Sequence, residues 1–145
     1  MKGLNTVKLE FPARSANESF ARAAATAFDV QMDPTLEELG DIKTAVSEAV
    51  TNAIVHAYPD SIGTVQMRLR ILEGNILEIS VKDHGCGIPD VKRAMQPMYS
   101  TGGEERSGMG FTIMSSFMDD LRVKSAPGKG TSVTMTKKLA IKVRA

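Results

Sequence analysis

Residues 47–58, "SEAVTNAIVHAY", read as the end of a long amphipathic helix, and the fold turns on that reading. Glu48, Asn52 and His56 recur at steps of four among Ala, Val and Ile. Side chains four apart lie on one helical face. A carboxylate, a carboxamide and an imidazole therefore share a stripe on a helix whose other faces are apolar. Such a stripe is either the solvated side of the helix or the wall of a pocket. Upstream, Leu36, Leu39, Ile42, Val46, Val50 and Ile54 extend one apolar face along the same helix, with Asp33 as N-cap and Pro34 at the first helical position. Gly40 in its interior costs about 1 kcal/mol relative to Ala.

To the N-terminal side, "NTVKLEF" alternates as a short strand, and "SANESFARAAATAFDVQ" makes a helix to about Gln31, opened by the capping-box spacing of Ser15 and Glu18. To the C-terminal side, the period changes after Gly63 from helical to alternating. "TVQMRLRIL" sets Val65, Met67, Leu69 and Ile71 against Gln66, Arg68 and Arg70. "EGN" is a turn, and "ILEISVKD" returns with Leu77, Ile79 and Val81 inward. From Gly85 to Gly110 the chain is rich in Gly, Pro and Ser, with room for one short helix at "PDVKRAM". Irregular stretches of that length are binding loops or lids. "GFTIMSSFMDD" is a short amphipathic helix, and "LRVKSA", "PGKG" and "TSVTMTKKL" form a closing hairpin. The order predicts a single α/β domain over residues 1–145: a sandwich of one mixed, mostly antiparallel sheet with helices on one face.

Composition narrows the function. The chain has 145 residues, 42% of them hydrophobic, and a net charge of +1. That balance gives no electrostatic case for binding nucleic acid or an anionic membrane. No apolar run approaches the roughly 20 residues that span a bilayer. "MKGLNTVKLEF" lacks the apolar stretch of a signal peptide, and the single Cys86 has no cysteine partner for a disulfide or a metal site. A reducing, cytoplasmic setting is the simplest expectation.

Three further clusters carry possible chemistry. In "VKDHGCGIP", Asp83 ends an apolar strand and Gly85 and Gly87 follow. A carboxylate facing inward there needs hydrogen-bond donors, which the exocyclic amine of an adenine can supply, and glycines let a flat ring approach the backbone. The plain alternative is a tight glycine turn. In "RSGMGF", Gly108 and Gly110 precede a helix, so backbone N–H groups can point at a phosphate with Arg106 as a clamp. The alternative is a loop end with a solvated arginine. In "PGKGTSV", Thr131 matters only if its strand lies beside the one ending in Asp83. On the opening stripe, Asn52 offers a neutral oxygen to Mg²⁺, and Glu48 can accept a proton from an attacking hydroxyl. His56 reads as a helix cap or packed residue, Lys129 as a surface residue and Cys86 as a loop residue.

The ordered set E-x-x-x-N, D-x-G-x-G, a long loop ending in G-x-G before a helix, then G-K-G-T before a strand resembles the GHKL ATP-binding superfamily, which includes gyrase, MutL-type proteins and histidine kinases. The resemblance spans about Thr35 to Leu139. It implies that Asn52 holds Mg²⁺, Asp83 reads adenine with Gly85, Gly87 and Thr131 around the base, Gly108 and Gly110 cradle phosphates, and Pro89–Ser107 is an ATP lid. Within the superfamily, "FPARSANESFARA", "MDPTLEELGDIKTAVSEAVTNAIVHAY" and "ERSGMGFTIMSSFMD" resemble the anti-sigma-factor serine kinases. That resemblance implies a homodimer that binds a sporulation sigma factor of the sigma-F type when ATP-loaded and phosphorylates a serine of a small anti-anti-sigma protein. Docking through the first helix, with Arg14 and Arg22, and through the lid is the expectation, as is dimerisation through the N-terminal strand and helix. Both histidines fall inside the nucleotide boxes, which disfavours a histidine kinase, while Glu48 as base and Arg106 as stabiliser of the transferring group favour serine phosphorylation. The competing class is a non-catalytic, ATP-dependent sigma-factor trap.

Overall fold

A computed structural model describes residues 3–88 and 110–140. The elements are β1 (Gly3–Pro12), α1 (Ala16–Asp29), a 3₁₀ turn (Val30–Met32), α2 (Leu36–Val55), β2 (Thr64–Leu72), β3 (Ile76–Asp83), α3 (Gly110–Phe117), β4 (Asp120–Ala126) and β5 (Gly130–Lys138). Five strands form one sheet in the order β1-β2-β3-β5-β4. The sandwich follows the expected plan, and every pairing among the described strands is antiparallel rather than mixed. Two helices separate the neighbours β1 and β2, which reverses the chain, and hairpins join β2 to β3 and β4 to β5. The hairpin after β2 turns at Gly74 and Asn75, both left-handed (φ 87° and 61°), as "EGN" suggests. The expected short helix at "PDVKRAM" lies outside the described residues.

Alternation decides which sheet face is dry. Val65, Met67 and Leu69 of β2, Leu77, Ile79 and Val81 of β3, and Val133 and Met135 of β5 are all buried beneath the helices. The opposite face reads as polar rows across the sheet, such as Lys8–Arg68–Ser80–Thr134–Arg122. α2 covers the centre through Ile42, Val46 and Val50, each fully buried, with Ala45, Ala49 and Ala53 letting the backbone pack closely. Leu36, expected on this face, is the first residue of α2 and is 88% exposed. Among the described residues no helix is long and apolar enough to cross a membrane.

Two caps differ from expectation. Thr35, not Asp33, starts α2: its hydroxyl accepts from the Glu38 amide at 3.1 Å while Glu38 Oε1 accepts from the Thr35 amide at 2.9 Å. Asp33 has Leu36 three residues on, which cannot return the bond, and instead closes the 3₁₀ turn in a left-handed conformation (φ 53°). Ser15 makes no side-chain cap at α1. The Glu18 carboxylate, the other half of the expected box, is taken by the Ser47 hydroxyl and by Arg22, which ties α1 to α2.

Asp29, at the end of α1, is fully buried, and among the described residues neither carboxylate oxygen has a hydrogen-bond partner. Burial, with repulsion from Glu38, lifts its pKa from 3.8 to about 6. The folded chain therefore holds a proton that the unfolded chain releases, so this group's stabilisation is complete below pH 3.8 and is lost as pH rises through about 6. Asp29→Leu should raise stability at pH 7.5 by on the order of 2–3 kcal/mol, with a smaller gain at pH 4.5. Denaturant titrations at the two pH values check this, and an equal gain at both would contradict it.

Candidate functional site

The inward column of β3, Leu77–Ile79–Val81, continues to Asp83, so the same alternation that builds the core carries a carboxylate to the sheet's end. Asp83 is 5% exposed. Its Oδ1 accepts from the backbone N–H groups of Gly85 at 3.0 Å and Thr131 at 3.2 Å. Burial pushes its pKa up, and those two amides and the neighbouring His84 oppose the rise. Thr131 stands directly opposite Asp83 in the β3–β5 register, which meets the condition set for it in the sequence.

The glycines after Asp83 serve the protein's own backbone. A Cβ on Gly85 would lie 2.1 Å from the Ala57 carbonyl oxygen, and one on Gly87 would lie 2.0 Å from that of Ala126. Hydrogen bonds close the same contacts: Cys86 N–H to Ala57 O at 2.9 Å, and Gly128 N–H to Cys86 O at 2.7 Å. The loop is thus wedged between the C-terminus of α2 and the β4–β5 hairpin. The close approach that the sequence assigned to a flat ring is made on the Cβ side of both glycines by the chain itself.

Tyr58 and Ser125 complete the frame, and neither stands out in the sequence. Tyr58 donates its hydroxyl to Thr64 O at 2.8 Å and accepts from His84 N–H at 2.7 Å, with its ring over Gly63. It braces the α2–β2 connection against the end of β3. Ser125 binds Ile88, Gly130 and Thr131 at once. Its signal was available: Leu121, Val123 and Ser125 alternate inward as the β3 column does.

The opening stripe meets the start of α3. A Cβ on Gly110 would fall 3.1 Å from Asn52 Nδ2 and 3.4 Å from Glu48 Oε2, so the glycine lets α3 abut both side chains. Asn52 and Glu48 are half-buried. One turn on, His56 caps α2, its N–H bonded to Asn52 O at 3.0 Å and its carbonyl accepting from the Cys86 thiol at 3.3 Å. The last turns of α2 therefore connect the Glu48–Asn52–Gly110 group to the Asp83–Gly85–Thr131 group. Arg106, Gly108 and the expected lid lie outside the described residues. Cys86, His84 and Lys129 are exposed. Among the described residues no three His, Cys, Asp or Glu side chains are grouped to hold a metal. A Mg²⁺ beside Asn52 would draw further oxygens from phosphates and water, as that ion commonly does.

Glu48 also borders an open cleft of about 380 Å³ between α1 and α2, lined by Arg22, Lys43, Thr44 and Ser47. Arg22, on the expected docking helix, pairs with Glu18 at 3.4 Å in its wall, and Arg14 is exposed.

Residues 11–137 match the family model of a histidine kinase-like ATPase domain. An anti-sigma F factor of Caldanaerobacter subterraneus subsp. tengcongensis is 58% identical over 92% of this chain and 93% of its own length. The anti-sigma F factor of Clostridium novyi is 55% identical over 93% of this chain and 95% of its own. Among solved structures, the RsbU and RsbW domains of a Mycobacterium tuberculosis protein superpose with a TM-score of 0.70 at 20% identity, covering 97% of this chain and 34% of that one. The histidine kinase domain of a blue-light activated kinase from Erythrobacter litoralis gives 0.59 at 26% identity, covering 86% of this chain and 60% of that one.

The wedge is testable by stability alone. Gly85→Ala drives a methyl into the Ala57 carbonyl and should cost roughly 2 kcal/mol or more. Gly40→Ala, with nothing within 4 Å of the new methyl, should stabilise by about 0.5–1 kcal/mol. Chemical denaturation of the two variants checks this, and a harmless Gly85→Ala would contradict the packing role.

Proposed function

The chain belongs to the histidine kinase-like ATPase family, in the group that holds the anti-sigma F factors, and from that premise we propose that it is an ATP-dependent serine protein kinase and anti-sigma factor. In this reading residues 1–145 form one ATP-binding kinase domain that acts as a cytoplasmic homodimer. It sequesters a sporulation sigma factor and phosphorylates a serine of an anti-anti-sigma protein. The observation that supports it best is the position of Glu48, which faces Asn52 and Gly110 on one side and the α1–α2 cleft on the other. In this reading a partner's serine enters by that cleft, whose wall includes the Glu48 carboxylate.

Each residue has a role in that scheme. Asp83 accepts from the adenine amine, with Gly85, Gly87 and Thr131 shaping the rim of the base pocket. Asn52 would supply an oxygen ligand for Mg²⁺, and the backbone at Gly108 and Gly110 would cradle the phosphates. A bound Mg²⁺ would supply charge neutralisation on the phosphates. Glu48 takes the proton as the serine oxygen forms its bond to the γ-phosphorus and the bond to the β-phosphate oxygen breaks, leaving ADP. Arg106 balances charge on the group in transit. Transfer of this kind depends chiefly on positioning and electrostatics.

Glu48→Gln should keep nucleotide affinity and lose phosphate transfer by about 100-fold or more, read with radiolabelled ATP and a serine-bearing anti-anti-sigma partner. Transfer at the wild-type rate would refute the base. Nucleotide binding without any transfer by the wild-type protein would favour a non-catalytic sigma-factor trap. Asn52→Asp should weaken Mg²⁺–ATP binding through altered charge and geometry, and an unchanged affinity in calorimetry would count against its place as a ligand.

A further inference from the structure

The inner sheet face ends in three polar residues side by side. Ser125 on β4 stands opposite Thr131, and Thr131 stands opposite Asp83. Ser125 Oγ lies 2.7 Å from the Ile88 amide nitrogen, 2.9 Å from the Gly130 carbonyl oxygen and 2.8 Å from Thr131 Oγ1. A serine hydroxyl has one proton and two lone pairs. The Ile88 N–H occupies one lone pair. The Gly130 carbonyl can only accept, so the serine proton goes to it. The third contact is then made by the proton of Thr131, donated to the second lone pair of Ser125. The reverse assignment leaves two acceptor oxygens facing each other at 2.9 Å without a proton between them.

This arrangement fixes what Thr131 can offer a ligand. Its single proton is turned toward β4, and its oxygen keeps only acceptor capacity. Asp83 is in the same condition, because a carboxylate accepts and does not donate. Its Oδ1 already takes two backbone amides, which leaves Oδ2 for a ligand.

We propose that Ser125 is a positioning residue that holds the Thr131 hydroxyl proton away from the base pocket, so that Asp83 and Thr131 present acceptors only to the 6-substituent of the purine and select a 6-amino group over a 6-carbonyl. The inference rests on the nucleotide reading above and adds to it a residue that sets base specificity without touching the base. A site whose polar groups are matched to one edge rejects the other strongly, since a mismatched buried acceptor is left unpaired. Without the serine hydroxyl, the Thr131 proton is free to rotate and donate to a 6-oxo group.

The test compares Mg²⁺–ATP with Mg²⁺–ITP, which carries oxygen in place of the amine and a proton on N1, by calorimetry on the full chain. Wild type should prefer ATP by at least about tenfold, and Ser125→Ala should narrow that ratio by about tenfold. Ser125→Thr, which keeps the hydroxyl, should restore it. In a Thr131→Val background, Ser125→Ala should leave the ratio unmoved. If Ser125→Ala does not fold, Ser125→Cys, a weak donor of the same shape, takes its place with the same expectation. A Ser125→Ala protein that loses affinity for both nucleotides equally would overturn the inference, as would a wild type that binds them alike. A wild type that binds neither would overturn the nucleotide reading itself.

Discussion

The pair of backbone hydrogen bonds to Asp83 Oδ1 is the constraint around which the rest of the site is arranged. A carboxylate at the inner end of β3 is costly to bury unless donors meet it. The donors come from two directions: the Gly85 amide, which requires the chain to turn sharply after the strand, and the Thr131 amide, which requires β5 to lie beside β3 in one register. A one-residue slip of β5 would move Thr131 to the other face and bring Ser132 to Asp83 instead. The acid therefore pins loop and sheet together through one of its two oxygens.

α2 carries this frame to the opposite wall. Its N-terminus is fixed by the Thr35–Glu38 box, and Glu38 also accepts from the Ala140 amide at 2.9 Å, anchoring the end of β5 to the start of the helix. Its middle is held in the core by Ile42, Val46 and Val50. Its last turn is held by Cys86 and, through Tyr58, by the end of β3. A helix clamped along its length presents Glu48 and Asn52 at fixed positions. The phosphoryl transfer proposed above would need that rigidity, because small displacements of reacting groups are expensive in rate.

Much of this was legible in the sequence because two periodicities did the sorting. Period two along β3 predicts an inward Asp83, and the same rule applied to β4 points Ser125 inward, although a lone serine before "APGKG" looks like turn chemistry. The spacing of Glu48 and Asn52 placed them together, and their contact with Gly110 depended on packing between helices far apart in sequence, which no local pattern encodes. Ser15 does stand at the start of α1, but local spacing cannot show that Glu18 is claimed by Ser47 across 29 positions, and Asp33 yields the start of α2 to Thr35, whose partner Glu38 completes the box. Gly85 and Gly87 were correctly seen as positions of close approach, but what approaches them is backbone from α2 and from the β4–β5 hairpin, a tertiary fact. The buried, unpartnered Asp29 broke the pattern outright, since nothing in "TAFDVQ" says that the last turn of α1 faces inward.

The most direct test of the central claim is a crystal structure of the protein grown with Mg²⁺ and a non-hydrolysable ATP analogue. The account predicts the adenine amine within hydrogen-bond distance of Asp83 Oδ2, the metal liganded by Asn52, and the terminal phosphate between Glu48 and the start of α3. A nucleotide bound elsewhere, or one bound here with Asp83 and Asn52 both out of contact, would contradict it.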